Sequence, residues 1–123
     1  MSKIDFGEPT SIGKKVYGVA FVEDECERTT IGFSIELRRK NIWELNMEDS
    51  YLSKEVYNFF LKLLKSSLKP NTNAGLSKNV IMRKLHVDFI LKEEEIPEIL
   101  DKIEYFMGFV WSNAFKNIFI YLE

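Results

Sequence analysis

The sequence predicts an α+β fold in two layers, in which a mainly antiparallel sheet of four to five strands carries two helices on one face. Two periodicities indicate this arrangement. Several segments alternate apolar and polar residues, as half-buried strands do. Two other segments repeat apolar residues every three or four positions, as amphipathic helices do. The segments follow the order β-β-β-α-β-α, which is too irregular for a doubly wound parallel sheet.

Four segments have the composition of strands. Residues 15–23 carry apolar or small side chains on both faces, which is typical of a central strand. Residues 29–39 alternate strictly and predict a strand with one polar face. Because the connector between these segments is short, we expect them to form an antiparallel hairpin. Residues 43–47 predict a short third strand, and residues 80–92 predict another strand with one polar face.

The strongest periodic signal extends from Glu93 to Phe115, and it predicts the long helix around which the fold is organised. Pro97 fits the first turn, where a missing N–H group costs nothing. Three consecutive glutamates from Glu93 lie near the positive end of the helix dipole. At about 1.5 Å per residue, the segment from Pro97 to Phe115 would span roughly 28 Å, enough to cross a small sheet.

A second helix is predicted by the apolar stripe in residues 56–68, which ends before Pro70. Residues 1–13 contain two glycines and a proline with little periodicity, so we expect an irregular lead-in before one domain at residues 14–123. Residues 117–122 are rich in β-forming residues but also continue the last helical stripe. We favour a short closing strand over an extension of the helix.

The composition is typical of a globular chain. The 123 residues are 46% hydrophobic and 14% aromatic, and the net charge of −2 argues against a dedicated nucleic-acid-binding protein. Cys26 is the single cysteine, which excludes an internal disulfide and favours a reducing compartment. The sequence contains neither a signal peptide nor an apolar run of membrane-spanning length. We therefore expect a cytoplasmic protein that does not enter a membrane.

Carboxylates are concentrated in two parts of the sequence. Four lie between the first two strands: Glu23, Asp24, Glu25 and Glu27. Six lie at the start and along the expected outer side of the last helix: Glu93, Glu94, Glu95, Glu98, Asp101 and Glu104. Clustered charge of one sign can attract a partner of the opposite sign. The alternative interpretation is a solvated connector and an ordinary helix start.

The last helix also carries aromatic residues outside its main apolar stripe. Tyr105 and Phe109 are four residues apart, so they lie on the same side of a helix, and Gly108 between them would permit another backbone to approach. One interpretation is a protein-binding or dimer surface. The other is that the second helix or the C-terminal strand covers both side chains.

His86 and Asp88 form the strongest catalytic candidate. They are two residues apart on a predicted strand, so they share a face, and a carboxylate beside an imidazole suits a general base. No nucleophile is placed near them by the sequence, and an ordinary polar surface explains them equally. One histidine and one cysteine cannot supply a structural zinc site, and no Walker loop or EF-hand loop is present. We expect no cofactor.

The residues favour a non-catalytic protein-binding module, with an intracellular inhibitor or immunity protein that neutralises a basic toxin or nuclease as the specific hypothesis. The residues expected to contact the partner are Glu23, Asp24, Glu25, Glu27, Glu98, Asp101, Tyr105 and Phe109. Two alternatives remain open at this point. One is a small enzyme or ligand-binding domain that uses His86 and Asp88, and the other is a homodimeric structural subunit.

Overall fold

The computed structural model describes the backbone of residues 3–25, 27–39, 42–48, 50–67, 77–81, 84–90 and 93–121. The side chains of residues 38–39, 42–43, 61, 64–67 and 77–90 are outside this description. The strands are β1 (Lys3–Phe6), β2 (Thr10–Ile12), β3 (Lys15–Asp24), β4 (Glu27–Arg39), β5 (Ile42–Glu48), β6 (Ser77–Ile81) and β7 (Lys84–Ile90). The helices are α1 (Ser53–Ser67), α2 (Ile96–Met107) and α3 (Phe109–Phe119), with a 3-10 turn at Glu93–Glu95 before α2.

Within the described ranges, seven strands form one antiparallel sheet in the order β1-β3-β4-β5-β7-β6. β2 also pairs with β3, so that β1 and β2 follow one another along the same edge of that strand. Phe6 of β1 lies opposite Ala20, and Thr10 of β2 lies opposite Tyr17. The predicted α+β class with an antiparallel sheet is confirmed, and the sheet has more strands than expected.

The long hairpin of β3 and β4 lies within the sheet, as the sequence predicts. Asp24 pairs with Glu27, which leaves a loop of two residues. Glu25, the first of these two, has a φ of 52°. A positive φ at the first loop position occurs in the type I′ and II′ turns of two-residue hairpins, which match the natural twist of the strands. Glu25 therefore adopts this conformation although the loop lacks the Asn-Gly or Asp-Gly pair that usually marks such a turn.

The helices cover one face of this sheet. The buried residues of β4 include Phe33, whose ring lies 5.3 Å from Phe60 of α1 and 5.5 Å from Trp111 of α3. On the opposite face Tyr17 is 42% exposed and Thr30 is also exposed. Because both helices contact the same strand residue from the same side, the layers are a sheet and a helical layer, with the core between them.

Helix α1 is joined closely to the strand before it. The Ser53 hydroxyl donates to the backbone oxygen of Glu48 and accepts a hydrogen bond of 2.9 Å from the Ser50 N–H group. Ser53 is buried, so these bonds satisfy a polar group that would otherwise destabilise the core. Ser53 therefore helps to fix how α1 leaves β5.

The predicted single helix from Glu93 to Phe115 is wrong, because Gly108 separates α2 from α3. The favoured closing strand at residues 117–122 is also wrong, since α3 continues to Phe119. Ile118 and Phe119 are both buried. The apolar side chains there pack against the core in helical periodicity, and this packing outweighs their intrinsic preference for strands.

Two further differences concern short strands. Strands β1 and β2 lie in residues 1–13, where an irregular lead-in was expected. They have only four and three residues, too few to give a clear alternation in the sequence. The strand expected at residues 80–92 is instead part of a hairpin, in which Ile81 of β6 pairs with Lys84 of β7.

The contact between β3 and α3 leads to a stability prediction. A Cβ atom added to Gly18 would lie 2.1 Å from Cη2 of Trp111, whereas one added to Gly32 would meet the exposed carboxylate of Glu48 at 2.9 Å. The indole is held in the core, but the Glu48 side chain can move into solvent. We expect Gly18→Ala to lower the free energy of unfolding by about 1–3 kcal/mol.

Urea unfolding measures this difference, and Gly32→Ala on the neighbouring strand is the matched control. We expect the control to change stability by no more than about 0.5 kcal/mol. Equal stability of Gly18→Ala and the wild type would show that Trp111 does not lie on Gly18.

Candidate functional site

Gly108 forms a joint of one residue between α2 and α3. Its N–H group donates to the Glu104 oxygen at 3.0 Å, and its own oxygen accepts from the Ser112 N–H group at 3.2 Å. The backbone at this residue has φ 105° and ψ 167°, a conformation that is strongly unfavourable for residues other than glycine. The helix therefore breaks at Gly108 and restarts immediately in a new direction.

An exposed apolar surface surrounds this break. The residues that form it, which we call the joint patch, are Tyr105, Phe106, Phe109 and Val110, with exposed fractions of 81%, 45%, 62% and 55%. The rings of Tyr105 and Phe106 are 4.9 Å apart in an edge-on arrangement. The interpretation in which other elements cover Tyr105 and Phe109 is therefore wrong, and both side chains are available to solvent.

Two members of the joint patch were not predicted. Phe106 and Val110 belong to the apolar spacing that predicts one helix from Glu93 to Phe115, and the apolar side of such a helix is expected to face the core. The break at Gly108 ends that stripe, and α3 begins its own buried stripe at Trp111. The glycine in the middle of a helical pattern was the signal that could have shown this, because glycine in a helix interior is unfavourable.

A cleft of about 210 Å³ adjoins the joint patch. One wall is the N-terminal segment Phe6–Pro9, and the other is the segment from Met107 to Trp111. The Trp111 indole N–H group donates to the Gly7 oxygen at 2.8 Å, and the Gly7 N–H group donates to the Val19 oxygen at 3.0 Å. These two bonds hold the N-terminal wall against both α3 and the sheet, so the cleft is already formed.

A line of carboxylates leads along α2 to the joint patch. Glu98, Asp101 and Tyr105 follow at intervals of three and four residues, so they lie on one side of the helix. All three are exposed, whereas Ile99 and Ile103 on the other side are buried. We call Glu98 and Asp101 the acidic stripe. Its position places negative charge directly beside the exposed aromatic rings.

Glu95 does not belong to this exposed surface. It was expected on the outer side of the last helix, but it is only 1% exposed and lies in the 3-10 turn before α2. That expectation is wrong because the turn has a tighter spacing than an α-helix and directs Glu95 inward. Glu93 and Glu94 are exposed, as predicted.

The other predicted acidic residues lie on the β3–β4 hairpin, which is a separate element from α2. Glu23, Glu25 and Glu27 are exposed, and Asp24 is half-buried. The Tyr51 hydroxyl donates to Oε2 of Glu27 at 2.5 Å. This hydrogen bond raises the pKa of the Tyr51 phenol above its ordinary value of 10.0, so the contact is present at neutral pH and is lost as the phenol ionises in alkali.

The face of the sheet opposite the helices contains a second, shallow cleft of about 320 Å³. Its lining includes Tyr17, Ser34, Asn46 and Glu48. The Glu48 carboxylate accepts from the Gly32 N–H group at 3.3 Å, which fixes part of the floor. The cleft therefore offers hydroxyl, amide and carboxylate groups across three neighbouring strands, without a combination specific to one reaction.

The catalytic alternative concerns β7, which lies beside this face. The backbone of His86 is paired with Asn46, and that of Asp88 is paired with Glu44. The side chains of His86 and Asp88 are outside the described part of the structure, as is Cys26. Glu44 is buried, and its carboxylate accepts from the Asn46 amide at 2.9 Å.

Among the residues that the structure describes, no three His, Cys, Asp or Glu side chains are grouped so that they could hold a metal ion. None of the helices in the described part of the chain combines the length and apolar character needed to cross a bilayer. Comparison with protein-family models, curated protein sequences and solved structures found no match to this chain. The function must therefore be inferred from the surface itself.

The conformation of the joint leads to a second stability prediction. Replacement of glycine by alanine inside a continuous helix stabilises it by roughly 0.5–1 kcal/mol. At Gly108, where φ is 105°, the same change forces an unfavourable backbone conformation. We expect Gly108→Ala to lower the free energy of unfolding by about 1–3 kcal/mol, measured by urea unfolding.

Asn113→Ala, at an exposed position of α3, is the control and should be neutral or slightly stabilising. If Gly108→Ala instead raised the free energy of unfolding, the break in the helix would be contradicted, because this replacement is stabilising only in a continuous helix.

Proposed function

We propose that this protein is a non-catalytic protein-binding module that recognises a basic partner through the joint patch and the acidic stripe. One observation supports this proposal more strongly than any other. Tyr105 and Phe109 are 81% and 62% exposed, and Glu98 and Asp101 extend from Tyr105 along the same side of α2. Apolar rings bordered by charge are typical of surfaces that bind other proteins.

The two parts of this surface would contribute differently to binding. Full burial of an aromatic side chain contributes about 1.5–3 kcal/mol, and aromatic residues are common among the residues that dominate binding energy. Exposed carboxylates contribute less to affinity, because water and salt screen them. They raise the rate of encounter with a basic partner and favour it over acidic competitors. The patch would supply affinity and the stripe selectivity.

The more specific form of the proposal is an intracellular inhibitor or immunity protein that neutralises a basic toxin or nuclease. An inhibitor of this kind needs only a rigid surface complementary to its target, and it needs no catalytic group. The carboxylates of the β3–β4 hairpin, including Glu23 and Glu25, are exposed and would form a second contact with a large basic target. This form of the proposal is supported by charge and exposure.

Co-purification from the source cells tests the proposal. The tagged wild-type protein should retain a protein with a basic surface at low salt and release a large part of it as salt increases. We expect the double variant Tyr105→Ala, Phe109→Ala to lose about tenfold or more of that retention, because it removes the exposed apolar anchors. Quantitative mass spectrometry of the retained proteins measures the loss.

Tyr121→Ala is the matched control, since Tyr121 is also an exposed aromatic residue, 45% exposed and beyond the far end of α3. It should retain as much partner as the wild type. Light scattering at high protein concentration should show a monomer. A homodimer that requires Tyr105 and Phe109, with no second protein retained, would contradict the proposal and favour the structural subunit.

A further inference from the structure

We propose that the cleft beside the joint patch receives one large apolar side chain of the partner, and that basic residues next to this side chain in the partner sequence follow the acidic stripe of α2. This inference rests on the proposed function and specifies the recognition element. The occupant is a short segment with an apolar anchor and lysine or arginine residues on one side of it.

The geometry of the cleft supports an anchor of this kind. Its walls include Phe6, Pro9, Phe109 and Val110, and the Trp111 side chain of the second wall is hydrogen-bonded to Gly7 of the first. A volume of about 210 Å³ is sufficient for one large side chain but not for a globular domain. Because the indole of Trp111 is bonded to the Gly7 oxygen, the walls are held in place before binding. A preformed cleft loses less entropy on binding than one that must first be ordered.

Charge determines how the partner segment lies. Helix α2 carries three carboxylates, Glu98, Asp101 and Glu104, against the single lysine Lys102. Helix α3 carries one charged residue, Lys116, at about two turns from Phe109. A basic segment anchored in the cleft therefore meets opposite charge along α2, whereas α3 offers it none. Glu8, which is exposed at the N-terminal wall, adds a further negative charge beside the cleft.

The same charges argue against a second copy of this chain as the occupant. In a second copy this surface would consist of the same uncharged joint patch and the same acidic stripe, so it would offer no cluster of positive charge to Glu98 and Asp101. Electrostatic complementarity favours a partner of the opposite charge. The occupant is thus a basic segment of a different protein.

A random library of 12-residue peptides displayed on phage is the probe, selected against the full chain. We expect enriched peptides to contain one large apolar residue with two or more Lys or Arg residues on one side. The synthetic form of an enriched peptide should bind Phe109→Ser about tenfold more weakly than the wild type. It should bind the double variant Glu98→Gln, Asp101→Asn about threefold more weakly, with less dependence on salt.

Tyr121→Ser and Glu48→Gln are the controls, because both residues are exposed and neither lies in the joint patch, the acidic stripe or the cleft beside them. Both variants should bind the peptide within about twofold of the wild type. Nuclear magnetic resonance spectra should show a shift of the Trp111 indole N–H signal on addition of the peptide. Circular dichroism of each variant checks that its fold is unchanged. The substituted side chains are exposed, so we expect no loss of structure.

Three results would overturn the inference: no enrichment over an unrelated control protein, enriched peptides without basic residues, or signal shifts confined to the sheet-face cleft around Tyr17. A fourth result would overturn the inference alone: if the natural partner binds Phe109→Ser normally but is lost on changing Glu23 and Glu25 to glutamine, the protein is a binding module and the cleft is not its recognition site. Failure of the proposed function has a different signature, in which the cleft binds the peptide as expected but the wild-type protein retains no natural protein partner.

Discussion

The contact of Trp111 with Gly18 is the constraint on which the rest of the structure depends. The glycine leaves space above the sheet, and the indole fills it while stacking on Phe33 with an interplanar angle of 14°. The Phe6 ring lies 5.8 Å from the same indole. One side chain of α3 therefore joins the sheet, the N-terminal strand and the helical layer. Its N–H group is also satisfied inside the structure, as a buried polar group must be.

This contact helps to hold the candidate surface in place although that surface lies at a break in a helix. The direction of α3 is fixed by Trp111 and the buried stripe that follows it, and the direction of α2 is fixed by Ile99 and Ile103. Gly108 needs only to connect two helices that are held separately. Because the apolar stripe of α2 is not continuous with that of α3, the aromatic side chains nearest the joint cannot all face the core. Their exposure is therefore a consequence of the packing on either side.

The sequence was informative where a periodic pattern is long, as in β3, β4 and the buried stripe of α1. It was misleading between Glu93 and Phe115, because the spacing of apolar residues continues through Gly108 although the helix does not. The backbone conformation of one glycine is not encoded in that spacing. Phe106 was therefore assigned to the core. Tyr105 and Phe109 lie off the main stripe, and this position left open whether they are exposed or covered by another element. The cleft depends on the distant segment Phe6–Pro9, which no local pattern could locate.

The central claim is that the surface at the joint of α2 and α3 meets another protein. Photo-crosslinking in the source cells tests this most directly, with p-benzoylphenylalanine incorporated at Tyr105 in one sample and at Tyr121 in another. The account predicts that the probe at position 105 forms a covalent product with a second, basic protein and that the probe at position 121 does not. Equal products from both positions, or no product from position 105, would contradict it.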